Sequence, residues 1–180
     1  MGTDKESPTF TRSLPLLLLG IAALVAVDQV TKILAVKHLS DGPCVLIDGV
    51  FELRYLENHG AAFGVFQGAQ VFFLIVTFVF LLIATAVFFR VPAKRRLMPF
   101  KLCLLLMMGG AVGNLIDRFL FGYVRDFIYF KLIDFPIFNV ADICVTVSAF
   151  LLAFLVLFKY KDEDLAFLGL RGNVDKKSNE

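Results

Sequence analysis

Two aspartates in this chain have no basic residue at helical spacing. Asp126 lies in "GYVRDFI" and Asp142 in "FNVADICV", and neither has a Lys or Arg three or four positions away. Both sit at the edge of apolar stretches, where an ionised group is costly and is held either for structure or for chemistry. Two carboxylates brought close share one proton, because like charges side by side do not both ionise cheaply. The ionised member can take a proton from water while the protonated one polarises a carbonyl and later serves the leaving group. That is the chemistry of aspartic peptide hydrolysis.

Other chemistries find less support in the residue pattern. There is no HExxH or Cys-x-x-Cys motif to hold a metal and no GxSxG elbow. "MMGGAVGN" lies within an apolar run and lacks the Lys-Ser/Thr of a phosphate cradle. Cys44, Cys103 and Cys144 form neither a disulfide framework nor a zinc knuckle, and two of them read as small hydrophobes inside apolar runs. No metal and no cofactor are expected.

The segments that must position the aspartates are membrane spans. The chain is 58% hydrophobic and 19% charged, with mean hydropathy +0.79, too apolar for a soluble domain. A net charge of +2 is too small to imply a nucleic-acid partner. Four apolar segments, 14–36, 71–89, 100–121 and 140–158, each approach the roughly 20 residues a crossing helix needs. The first continues past any cleavage site into Asp28 and Lys32 and is read as a retained helix. The connection "RVPAKRRLMPFK" is short and basic, and Lys and Arg also mark both tails, so these face the cytoplasm. The expected organisation is a cytoplasmic tail 1–13, a membrane domain 14–158 with outer loops 37–70 and 122–139, and a cytoplasmic tail 159–180. Within the first outer loop, Phe51, Leu53 and Tyr55 alternate with Val50, Glu52 and Arg54 after an Asp-Gly turn signal, a strand pattern. The second outer loop is aromatic and β-branched. Open sheet edges cannot sit in lipid, so these strands pair at the outer surface. The fold class is an α-helical membrane protein of four transmembrane helices with a small extracytoplasmic β-sheet element.

With that topology the polar residues fall at one depth. Asn114, Asp117 and Arg118 share a helical face near the outer end of the third span, and Asn139 and Asp142 head the fourth. Asp28 and Lys32 are an i, i+4 pair in the outer half of the first span, and Asn58 lies in the first outer loop. Each of Asp28, Lys32, Asp117 and Arg118 also has a purely structural reading, as a local ion pair or as support for other residues. "GGAVG" reads as a close helix-packing face.

"VDQVTK", "ENHGAAFGVF", "GNLIDR", "GYVRDFI" and "FNVADI", in this order across nearly the whole membrane region, resemble lipoprotein signal peptidase, also called signal peptidase II. The resemblance implies a bacterial aspartyl endopeptidase of the cytoplasmic (inner) membrane. Such enzymes cut signal peptides from diacylglyceryl-modified prolipoproteins, just before the lipobox cysteine. It implies Asp126 and Asp142 as the catalytic dyad and Asn58, Asn114, Arg118 and Asn139 as residues holding substrate or dyad. Asp28 and Lys32 correspond to a structural polar pair, with Asp117 counted beside them. It also implies membrane lipid as a partner, no nucleic acid, and inhibition by the cyclic peptide antibiotic globomycin. From the residues alone two rivals stay open: a proton-coupled carrier using Asp28, Asp117, Asp126 and Asp142 as a relay, and a non-enzymatic membrane subunit.

Overall fold

The computed structural model describes residues 9–60 and 68–169, with side chains from Leu14 onward. Both extreme tails lie outside the described residues, as does the 61–66 portion of "ENHGAAFGVF". Four long helices carry the fold: α1 (Thr9–Leu39), α2 (Gln70–Arg90), α3 (Met98–Phe121) and α4 (Val140–Phe154), the last extended by a π-helical turn at Leu155–Lys159. All four are long and apolar enough to cross a bilayer. The strands β1 (Cys44–Ile47), β2 (Phe51–Asn58) and β3 (Val124–Tyr129) form one antiparallel sheet in the order β1-β2-β3. Four helices and a small sheet are what the hydropathy and alternation patterns predict.

Composition explains how the helices sort. In α2 only Ala84 and Phe88 are buried, whereas Val71, Phe72, Ile75, Phe78 and Leu82 are exposed. A helix apolar on every side belongs against lipid. By contrast α3 is the central helix, touching α1, α2 and α4. Its small residues allow this. A Cβ added at Gly110 would stand 2.5 Å from the Ala141 carbonyl oxygen of α4, and one at Gly113 would stand 2.5 Å from Asp28 Oδ2 of α1. A side chain at Gly110 would push the α4 backbone away, and one at Gly113 would push the Asp28 carboxylate out of place.

The sheet is tied to one end of the bundle. The β1–β2 hairpin turns at Asp48-Gly49, with Gly49 at φ +67° and the Val50 N–H donating to the Ile47 carbonyl at 3.0 Å. Leu53, Tyr55, Phe127, Ile128 and Val140 pack on Ala35 and Leu39 at the end of α1. Gly122, in the left-handed region at φ +80°, stops α3 and turns the chain directly into β3. After β3 the chain loops back, and Phe138 bridges Ile128, its carbonyl accepting from the Phe127 and Ile128 N–H groups at 3.0 and 2.8 Å. This return brings the first turn of α4 beside β3.

Candidate active site

Asp126 is placed by the strand and Asp142 by the helix that follows it. Leu56 of β2 stands opposite Asp126 and Asn58 opposite Val124. The Asn58 side chain therefore reaches across, its Nδ2 donating to Asp126 Oδ2 at 2.8 Å. Asn139 caps α4: its Oδ1 accepts from the Asp142 N–H at 3.0 Å while its own N–H donates to Asp142 Oδ2 at 3.0 Å. The Asn139 Nδ2 donates to Asp126 Oδ1 at 2.6 Å. One asparagine thus grips both carboxylates. From α3, Asn114 Nδ2 donates to Asp142 Oδ1 at 2.8 Å.

The carboxylates open onto a cavity of about 430 Å³. Asn58, Asn114, Arg118, Asp126 and Asp142 form its polar wall, and Phe135 to Phe138 with Ile143, Thr146 and Val147 its largely apolar one. Asn139 is fully buried behind it. Arg118 lies with its guanidinium 4.8 Å from the Phe73 ring centre, and its Nη2 donates to the Gly60 carbonyl at 3.4 Å. The Asp126 carboxyl is pushed up to about 7, first by burial and then by the charge of Asp142. Hydrogen bonds from Asn58 and Asn139 and the charge of Lys32 oppose the rise. A carboxyl that holds its proton to neutrality beside a second carboxylate is equipped for acid–base work.

Behind the cavity the other polar residues form a buried charge lattice. Lys32 Nζ lies 2.9 Å from Asp28 Oδ2 and 3.3 Å from Asp117 Oδ2. Asp117 also accepts from the Arg125 backbone N–H at 3.0 Å, from Arg125 Nη2 at 2.7 Å and from Gln29 Nε2 at 3.0 Å. Asn114, Asp117 and Arg118, expected near one end of α3, divide their roles there. Asn114 and Arg118 line the cavity, but Asp117 turns toward α1 and β3 and pairs with Arg125 and Lys32. The reason is helix geometry: successive side chains point about 100° apart, so Asp117 faces α1 and β3 while Arg118 faces the cavity. Gln29 and Arg125 escaped the sequence reading. Strand alternation was the available signal, because Arg125 and Asp126 as neighbours in β3 must face opposite sides.

A bundle of four apolar helices with a small sheet at one end, holding a buried and a half-buried carboxylate beside a cavity, defines a polytopic membrane protein. Comparison with known proteins supplies the family. The family model described as signal peptidase (SPase) II matches residues 20–158. A lipoprotein signal peptidase of Clostridium tetani is 40% identical over 144 residues, 78% of this chain and 91% of the relative. One from Caldanaerobacter subterraneus subsp. tengcongensis is 42% identical, covering 77% and 94%. A bacterial membrane enzyme solved by the in meso method at 1.9 Å resolution superposes with TM-score 0.68 and 31% identity, covering 81% of this chain and 95% of that one. The chain belongs to the signal peptidase II family. It is accordingly a membrane peptidase, and signal-peptide removal from lipoproteins is the family's work.

Proposed function

We propose that this chain is an aspartyl endopeptidase of the bacterial inner membrane. It cuts diacylglyceryl-modified prolipoproteins before the lipobox cysteine, with Asp126 and Asp142 as its catalytic residues. The carrying observation is Asn139, whose side chain and backbone bond both carboxylates at once. In this reading a water between the two acids gives a proton to the ionised one, and its oxygen attacks the scissile carbonyl. The other acid protonates the carbonyl oxygen. Collapse of the tetrahedral diol breaks the C–N bond, and the amine leaves with a proton from the dyad. Asn58, Asn114 and Asn139 hold the two acids, and Arg118 faces the substrate from the cavity wall.

The apolar wall suits a substrate that arrives within the bilayer. Ile143, Thr146 and Val147 carry the cavity along α4 away from the dyad, and Val147 is exposed on the flank. A signal helix docked there, with its lipidated cysteine near the sheet, would set the scissile bond at the acids. The basic connection with Arg90, Lys94, Arg95, Arg96 and Lys101 lies at the opposite end of the helices, which supports a cytoplasmic side for it and for the termini. The site then opens at the outer leaflet, where water can enter. Residues 14–158 form the peptidase domain in this reading, and globomycin occupies the same cavity.

The test is incubation of the purified protein with a synthetic lipobox peptide carrying diacylglycerol on its cysteine. Cleavage before that cysteine, blocked by globomycin, is the expected result. No cleavage, or equal cleavage of the unlipidated peptide, overturns the reading.

A further inference from the structure

Each asparagine around the dyad has its side-chain oxygen already taken by a group that can only donate. The Gly60 N–H donates to Asn58 Oδ1 at 3.0 Å. The Asp142 N–H donates to Asn139 Oδ1 at 3.0 Å. Lys32 Nζ donates to Asn114 Oδ1 at 2.9 Å. An amide whose oxygen is so held cannot flip, and each must turn its NH2 toward a carboxylate. The dyad therefore sits in a cage that offers it donors. Two of the three locks are backbone. Lys32, fully buried, is the side-chain lock.

We propose that Lys32 is a positioning residue for the reaction: it fixes the Asn114 amide against Asp142 and thereby keeps the negative charge on Asp142 and the shared proton on Asp126. The inference rests on the proposed aspartyl mechanism. Asp142 receives a backbone N–H on one oxygen and, on the other, an amide polarised by an ammonium. Both favour its ionised form. Asp126 receives two side-chain amides, one of them shared with Asn114 Oδ1 at 3.1 Å. Among the bonds of the described residues no amide oxygen is turned to accept a proton from Asp126. Its hydrogen is left to point at Asp142, at water or at a substrate carbonyl. An asparagine freed to flip would instead present an oxygen to Asp142 and stabilise the protonated acid there.

The charges around this relay are Asp28 on α1, Asp117 and Arg118 on α3, Arg125 and Asp126 on β3, and Asp142 on α4, with the Cys144 thiol near Asp28. Removing Lys32 alone would strand Asp28. The informative variant is the neutral pair Asp28→Asn with Lys32→Met, compared with Asp28→Asn alone. Cleavage of the lipidated peptide is followed across pH, with thermal melting at each point. Wild type must cleave with a bell-shaped profile that Asp126→Asn and Asp142→Asn abolish; if it does not, the aspartyl reading itself fails. Given that profile, both limbs of the pair variant should lie about one unit above those of Asp28→Asn, since relative to that variant the ionised dyad loses only a cation. A lower rate or melting point with unmoved limbs gives Lys32 a structural role only and overturns the inference. Infrared difference spectra of the folded single variants supply a second readout. The protonated-carboxyl band that wild type loses as pH rises through neutrality should be absent in Asp126→Asn. Its persistence there would put the proton on Asp142 and overturn the assignment even if the pair variant does not fold.

Discussion

Asn139 and Asp142 bond each other in both directions, side chain to backbone and backbone to side chain, at 3.0 Å each way. A reciprocal cap of this kind starts a helix and also locks the Asp142 rotamer. Because the Asn139 amide continues to Asp126, one residue couples helix initiation to the spacing of the two acids. Replacing Asn139 by Ala should cost about 1 kcal/mol of stability as a lost cap. Activity should fall far more, by at least about 100-fold, because both acids lose their positions. Melting temperature and kcat measured on the same preparation check this. Proportionate losses in the two would refute the coupling.

Asp126→Asn and Asp142→Asn should each remove turnover by a factor of at least about 10³ while leaving the melting profile cooperative. Asn keeps the shape but can act as neither base nor acid. A variant with near-native kcat would exclude its aspartate from the chemistry.

Stability should carry the signature of Asp126. Its carboxyl is raised from 3.8 to about 7, so the folded chain keeps a proton that the unfolded chain releases. The unfolded state then gains relative to the folded one as pH climbs from about 4 to about 7, and this contribution is level above. Asp126→Asn removes the slope. The melting temperature of the variant minus that of wild type should therefore grow over this interval. A constant difference would show an unshifted carboxyl.

The same value sets the alkaline limb of activity. With one proton needed on the pair, kcat should decline above about pH 7 as Asp126 ionises. A rate still rising beyond that point, and tied to Cys144, would indicate a thiol nucleophile.

Asp117→Ala should chiefly unfold the protein. It leaves Lys32 and Arg125 buried with one acid between them, a loss of roughly 3–5 kcal/mol for a broken buried pair. Arg118→Ala removes a cation from the cavity and its stacking on Phe73. That change should lower kcat/KM by about tenfold or more and the melting temperature by a few degrees. Detergent-solubilised yield and melting separate the two variants.

Much of this arrangement could be read from residue types. Hydropathy placed the four helices, and period-two alternation with Asp48-Gly49 placed the first hairpin. Gathering Asn58, Asn114, Asn139, Asp126 and Asp142 at one depth needed only the span order. The partners of Asp117 were less accessible. Arg118 is adjacent in sequence, yet a side chain one position along a helix points about 100° away, and the true partner comes from a strand beyond a left-handed turn. Gln29 was hidden because nothing in its local pattern distinguishes an interhelical hydrogen bond from a neutral polar residue in a span. The roles of Lys32 and Asn114 toward each other depend on which atom of an amide faces which neighbour, and only the assembled packing fixes that.

The pairing of charges has a consequence for biogenesis. Lys32 and Asp28 lie one turn apart on α1, so this segment enters a bilayer with its own counter-ion. Asp117 receives its hydrogen bonds from α1 and from β3, which follows α3 in the chain. The third span is thus settled by a segment already inserted and by one yet to be made. Nascent chains interrupted after α3 should hold Asp28 and Asp117 against Lys32 alone, lacking Arg125, and fall to quality-control proteolysis, whereas those extended through Tyr129 should survive.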